Sequence, residues 1–179
     1  MIRLFAAIAL PDDVAEGLAR RQQGLPGARW RPREALHITL RFFGEVAEAT
    51  ADDLASELAV AAAAPAPTLE LAGAGAFDER GEPSAVWAGV AENEALRRLA
   101  ARCESAARRA GLAPEKRAYR PHVTLAYLRG AHAARVAAWI QGHNLLKSPP
   151  FRATTFGLYS SRLGGEGASY ALERDYSLS

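Results

Sequence analysis

Two tetrapeptides in this 179-residue chain share one pattern, "HITL" at 37–40 and "HVTL" at 122–125. The chain holds only six threonines and four histidines, so a given histidine has threonine two residues on with a chance of roughly 3 per cent. Two of the four histidines do so, and leucine follows both times. Imidazole is the side chain whose ordinary pKa lies near neutrality, so two facing histidines can work as one acid and one base. Such a pair suits in-line displacement at phosphorus, where the base takes a proton from the attacking water and the acid protonates the leaving alkoxide. Each threonine can offer a hydroxyl hydrogen bond to a non-bridging phosphate oxygen as its charge grows in the transition state.

The side-chain alternation of a strand then distributes the neighbours. His37, Thr39 and Arg41 should share one face, opposed by Leu36, Ile38, Leu40 and Phe42. Arg120, His122 and Thr124 should share a face opposed by Val123, Leu125 and Tyr127. The apolar set would meet helices and the polar set a cleft, with Arg41 and Arg120 as candidates to add positive charge.

The elements that must position these residues read as a repeated plan. "RLFAAIAL" is a strand stopped by Pro11, and "PDDVAEGLARRQQGLPG" a helix. "LHITLRFFGEV" is a strand ended by Gly44. "ATADDLASELAVAAAAP" is a helix with Thr50 and Asp53 at capping-box spacing, and "TLELAGAGAF" is a strand. The second round has "SAVWAGV" as strand and "NEALRRLAARCESAARRAG" as a helix capped by Asn93, with Leu96, Leu99, Ala100 and Cys103 on its inner face. "YRPHVTLAYL" is a strand, "HAARVAAWIQG" a short helix, and "FRATTFGLYSS" and "YALERDYSL" are strands joined through "RLGGEG" as a hairpin loop. The histidine strands lie 85 residues apart, a period that suits a duplicated two-lobe fold. The expected class is α/β (α+β): one domain over 1–179, two pseudo-symmetric halves of mixed or antiparallel sheet, helices outside and a central groove.

Composition bounds the rest. With 49% apolar and 23% charged residues the chain reads as an ordinary soluble globular protein. No apolar run reaches a bilayer span, and "MIRLFAAIAL" reads as a first strand rather than a leader. Cys103 is the single cysteine, which excludes an internal disulfide and fits a cytoplasmic setting. The net charge is only +2, yet eight Lys or Arg and two acids fall between Arg97 and Arg120. That run reads either as a site for a phosphate-bearing ligand or as the solvated face of a helix. His132 and His143 lack a metal-binding partner at helical spacing and read as surface residues, so no metal or other cofactor is expected. There is no P-loop and no G-x-S-x-G elbow, and "GAGAF" lacks the following helix that dinucleotide binding requires. Trp30, Trp87 and Trp139 read as core, with stacking on a base as the alternative for Trp30 beside the first motif.

Paired H-x-T strands in a duplicated chain of this size resemble the two-histidine (2H) phosphoesterase superfamily. Within it, the chain looks like the bacterial and archaeal RNA 2',3'-cyclic phosphodiesterases, also called 2'-5' RNA ligases. "RLFAAIALP", "RWRPREALHITLRFFGEV", "YRPHVTLAYL" and "FGLYSSRLGGEGASYAL" extend the likeness over nearly the whole chain. The resemblance implies hydrolysis of a 2',3'-cyclic phosphate at RNA 3' ends, tRNA fragments included, to a 2'-phosphate, and allows ATP-independent ligation of RNA ends through a 2'-5' bond as a side activity. It implies that His37 donates and His122 accepts the proton, with Thr39 and Thr124 on the phosphate; a monomer is expected. It also implies an Arg where this chain has Tyr127, so Arg129 or Arg120 is the expected substitute. Two alternatives stay open: the same chemistry on small cyclic nucleotides, an ADP-ribose cyclic phosphate or 2'-5' oligonucleotides, and a non-catalytic nucleotide or RNA binding module.

Overall fold

The computed structural model describes residues 1–165 and 167–179. The order of elements is β1 (Ile2–Ala9), α1 (Asp12–Ala19), β2 (Ala28–Trp30), a single 3-10 turn (Arg33–Ala35), β3 (His37–Val46), α2 (Glu48–Ala61), β4 (Thr68–Leu69) and β5 (Leu71–Glu79). It continues with β6 (Glu82–Val90), α3 (Glu94–Arg109), β7 (His122–Leu128), α4 (Ala133–Gly142), β8 (Phe151–Arg152), β9 (Thr155–Gly164) and β10 (Gly167–Ser177).

The helices form where the sequence places them. In α3 the buried Leu96, Leu99, Ala100, Cys103, Ala106 and Ala107 recur at helical spacing. The Asn93 side chain accepts from the Leu96 amide at 2.9 Å, and Gly111 leaves the helix at φ +90. Helix α2 differs from expectation. It starts at Glu48 after an extended Ala47, without a side-chain cap, so Thr50 lies inside the first turn. The Glu48 carboxylate there favours the positive end of the helix dipole.

Two four-stranded sheets result, in the orders β10-β9-β1-β3 and β2-β7-β6-β5, with a small β4-β8 pair beside them. All pairings among the described residues are antiparallel. The sequence repeat is crossed in space. The first and histidine-bearing strands of each repeat pair with one another, β1 with β3 and β6 with β7. The closing strand of each repeat crosses over, β5 to β6 and β9 to β1. Neither half can therefore complete its sheet alone.

One hydrophobic cluster joins the two sheets to all four helices. It takes Leu4, Ile8, Ile38 and Leu40 from one sheet, Val86, Ala88, Val123 and Leu125 from the other, and the buried faces of α1 to α4. Cys103 is fully buried there as a free thiol, pushed up to about 12 by burial. The last hairpin is tighter than expected, because strand pairing runs out to Gly164 opposite Gly167. Glu166, within the expected loop, lies outside the described residues. No helix among the described residues is long and apolar enough to cross a membrane.

Candidate active site

The sides of the sheets away from this core face a groove of about 1010 Å³ lined by both motifs: His37 and Thr39 from β3, His122 and Thr124 from β7. Its walls include Phe5, Phe42, Phe77, Tyr119, Tyr127 and Tyr170, with Arg31 and Arg120. The Tyr119 hydroxyl donates to the Thr39 carbonyl at 2.9 Å and so ties the segment before β7 to β3. Neither threonine hydroxyl has a hydrogen-bond partner among the described residues, which leaves both free for a ligand.

Simple alternation does not hold past the threonines. In β3, Thr39 is paired with Ala7 and Arg41 with Ala6, so Leu40 is an extra residue. In β7, Thr124 is paired with Trp87 and Ala126 with Val86, so Leu125 is the extra residue. Each motif thus ends in a β-bulge at its leucine, and the faces switch beyond it. Phe42 and Tyr127, each five residues after its histidine, come round to the groove and are 45% and 51% exposed. Both were expected on the core side. Phe43 takes the buried place instead, helped by a second bulge where Gly44, at φ +76, pairs with Leu4.

Aromatic rings enclose both imidazoles. His37 stacks on Phe5 at 5.0 Å between ring centres and meets the edge of Tyr170 at 5.8 Å. His122 meets Phe77 edge-on at 4.8 Å, with Trp87 at 6.2 Å. Trp87 lies so close over Gly75 that a Cβ there would stand 2.3 Å from the indole. The "GAGAF" glycine is therefore a seat for the tryptophan beside His122. Burial, then the Arg31 charge, then His122, push His37 down to about 4. His122 is also lowered, mainly by burial, with a further push from the Arg120 charge against the raising effect of its bond to the Arg120 carbonyl. In that bond His122 Nδ1 lies 2.6 Å from the carbonyl oxygen. A carbonyl only accepts, so Nδ1 carries the hydrogen and the other ring nitrogen of neutral His122 has a free lone pair.

Residues 10–165 match the 2'-5' RNA ligase superfamily. The chain belongs to that family. Among curated relatives, the RNA 2',3'-cyclic phosphodiesterase of Geobacillus stearothermophilus is 35% identical over 127 residues, covering 68% of this chain and 40% of that protein. The protein of the same name from Aeropyrum pernix is 41% identical over 99 residues, covering 55% of this chain and 56% of the relative. The chain thus spans about half the length of these curated relatives. Among solved structures, Escherichia coli LigT complexed with 3'-AMP superposes with a TM-score of 0.79 at 29% identity, covering 99% of this chain and 98% of LigT.

Within this 2'-5' RNA ligase superfamily fold, the positive charge is arranged differently from expectation. Arg41 lines the groove as expected, but beyond the bulge at Leu40 its guanidinium is tied back to the protein. Its Nε donates to Glu104 of α3 at 2.5 Å and its Nη2 to the Ala113 carbonyl at 2.8 Å, so this guanidinium is held by protein groups. Arg120 keeps its place at the groove, over the Phe77 ring at 5.2 Å. Arg129 is not among the groove-lining residues. Most of the basic run is paired off: Arg97 with Glu92, Arg98 with Glu94, Arg109 with Glu57, Arg117 with Glu115, and Arg102 with carbonyls of α2. Three residues of the run, Arg97, Arg117 and Arg120, nonetheless line the groove.

Sequence reasoning missed Arg31. It follows β2, lies with its guanidinium 4.9 Å from the Tyr127 ring centre, and donates to the Tyr170 hydroxyl. The signal for it was the pairing of β2 with β7, which the sequence does not display. Of the tryptophans, Trp139 is core and Trp30 packs on it at 5.9 Å, whereas Trp87 belongs to the site. His132 is exposed. His143, expected at the surface, is half-buried against Trp139, 4.1 Å between ring centres, with Nδ1 2.7 Å from the Trp139 carbonyl.

Proposed function

We propose that this protein hydrolyses 2',3'-cyclic phosphate ends of RNA to 2'-phosphates by acid–base catalysis between His37 and His122, with no metal and no cofactor. The observation that carries this reading is the convergence of both H-x-T motifs in one open groove, in a chain whose relatives are named RNA 2',3'-cyclic phosphodiesterases. His122 accepts a proton from the attacking water through the ring nitrogen not bonded to Arg120. The water oxygen adds to phosphorus, the bond from phosphorus to O3' breaks, and His37 supplies the proton that O3' takes up. Thr39 and Thr124 hold the non-bridging oxygens. In the free groove His37 is neutral, and the phosphodiester anion supplies the charge that favours its protonated form. With an RNA hydroxyl in place of the water, the same steps form a bond from its oxygen to phosphorus as the bond to O3' breaks, which joins the two ends without ATP.

We infer one functional unit over residues 1–179, because the crossed strands leave neither half with a complete sheet. It acts as a monomer, with RNA ends, tRNA fragments among them, as partners. A cytoplasmic setting accords with the free, buried Cys103. The test is hydrolysis of an oligoribonucleotide bearing a 2',3'-cyclic phosphate. His37→Ala and His122→Ala should each lower turnover about a hundredfold or more, and the oligonucleotide should outcompete a cyclic mononucleotide. A wild-type rate in either variant overturns the mechanism.

A further inference from the structure

We propose that Arg31, held between Tyr127 and Tyr170 where the two sheets face one another, is the cation that grips the phosphate beside His37. The assignment rests on the reading above and deepens it.

Three observations build the site. First, the backbone of Arg31 is fixed: its amide donates to the Leu125 carbonyl at 2.8 Å, and Gln22 Nε2 donates to both the Arg31 and Leu125 carbonyls at 2.9 and 3.0 Å. The bulge of the second motif is thereby bonded to the residue that carries the charge. Second, the side chain spans the groove. It lies on Tyr127 of β7 in one sheet and donates to Tyr170 of β10 in the other, and Tyr170 in turn meets the edge of His37. Third, the guanidinium has no carboxylate partner among the described residues, unlike Arg41 with Glu104.

A guanidinium offers five donors in a planar fork. One is given to Tyr170, and the remainder are available to anionic oxygens in the groove that Arg31 lines. The tyrosine platform holds the fork in place before substrate arrives, which reduces the ordering cost of binding. Tyr127 is then not a lost grip but the seat of a grip delivered from the neighbouring strand. Arg120 over Phe77 is its counterpart beside His122, so each histidine has one cation resting on an aromatic ring.

The experiment measures inorganic phosphate affinity by calorimetry, and kcat and KM on a cyclic-phosphate oligoribonucleotide. Arg31→Gln should weaken phosphate binding and raise KM by about tenfold to a hundredfold, the scale of a lost charge-assisted hydrogen bond, with a much smaller change in kcat. Adding Tyr127→Arg in that background should recover most of both losses, which a purely structural role for Arg31 would not allow. If Arg31→Gln fails to fold, Arg31→Lys keeps the charge without the fork and should still lose several-fold in phosphate affinity. Unchanged phosphate affinity and KM in the folded variant, or no recovery on adding Tyr127→Arg, overturns the assignment. A wild-type protein that leaves the cyclic end intact overturns the hydrolytic reading instead.

Discussion

Leu40 and Leu125 are the same structural device used twice: each is the extra residue of a β-bulge that directly follows the threonine of its motif. Both are buried. Each bulge keeps histidine and threonine on the groove face and then swings the next aromatic, Phe42 or Tyr127, to the same side. A bulge residue left out of the ladder still needs partners for its backbone groups. At Leu125 the carbonyl is met by the Arg31 amide and by Gln22.

The tied-back guanidinium of Arg41 has a testable consequence. Its ion pair with Glu104 is largely shielded, with 10% and 26% side-chain exposure, and it also fastens the Ala113 carbonyl to β3. Arg41→Ala should therefore cost about 2–3 kcal/mol of stability in urea unfolding, while KM for substrate changes little. A large rise in KM with unaltered stability would show that Arg41 serves the phosphate after all.

The lowered His37 pKa gives a pH signature. With an ordinary value of 6.5 in the unfolded chain and about 4 in the fold, the unfolded state binds more protons between those pH values. This contribution to stability is fully present above pH 6.5 and is lost as pH falls toward 4. The melting temperature should fall over that window, and His37→Leu should flatten the fall. NMR titration should find His37 neutral at pH 5.5 in the free protein, with its pKa raised when inorganic phosphate is added. A His37 resonance already titrating near 6.5 without phosphate would contradict the buried, cation-flanked site.

Much of this was legible in the residues. The H-x-T repeat marked four side chains that line one groove, helical spacing placed Cys103 and Leu96 in the core, and Asn93 marked a helix start, because each is a local pattern. The bulges were not legible, since Leu40 and Leu125 would be buried in a regular strand as well; what distinguishes them is their register against β1 and β6. The exchange of β5 and β9 between sheets is a matter of long-range pairing, and so is the arrival of β2 beside β7 that delivers Arg31. Trp87 looked like core because an indole that needs Gly75 beneath it has the same composition signal as one packed by aliphatic side chains.

End-group analysis of the product tests the central claim most directly. Hydrolysis of a 2',3'-cyclic-phosphate oligoribonucleotide in ¹⁸O-labelled water should give a single 2'-phosphomonoester carrying one labelled oxygen, with a free 3'-hydroxyl. A 3'-phosphate, a mixture of the two isomers, or a cyclic end left intact by the folded protein would contradict the account.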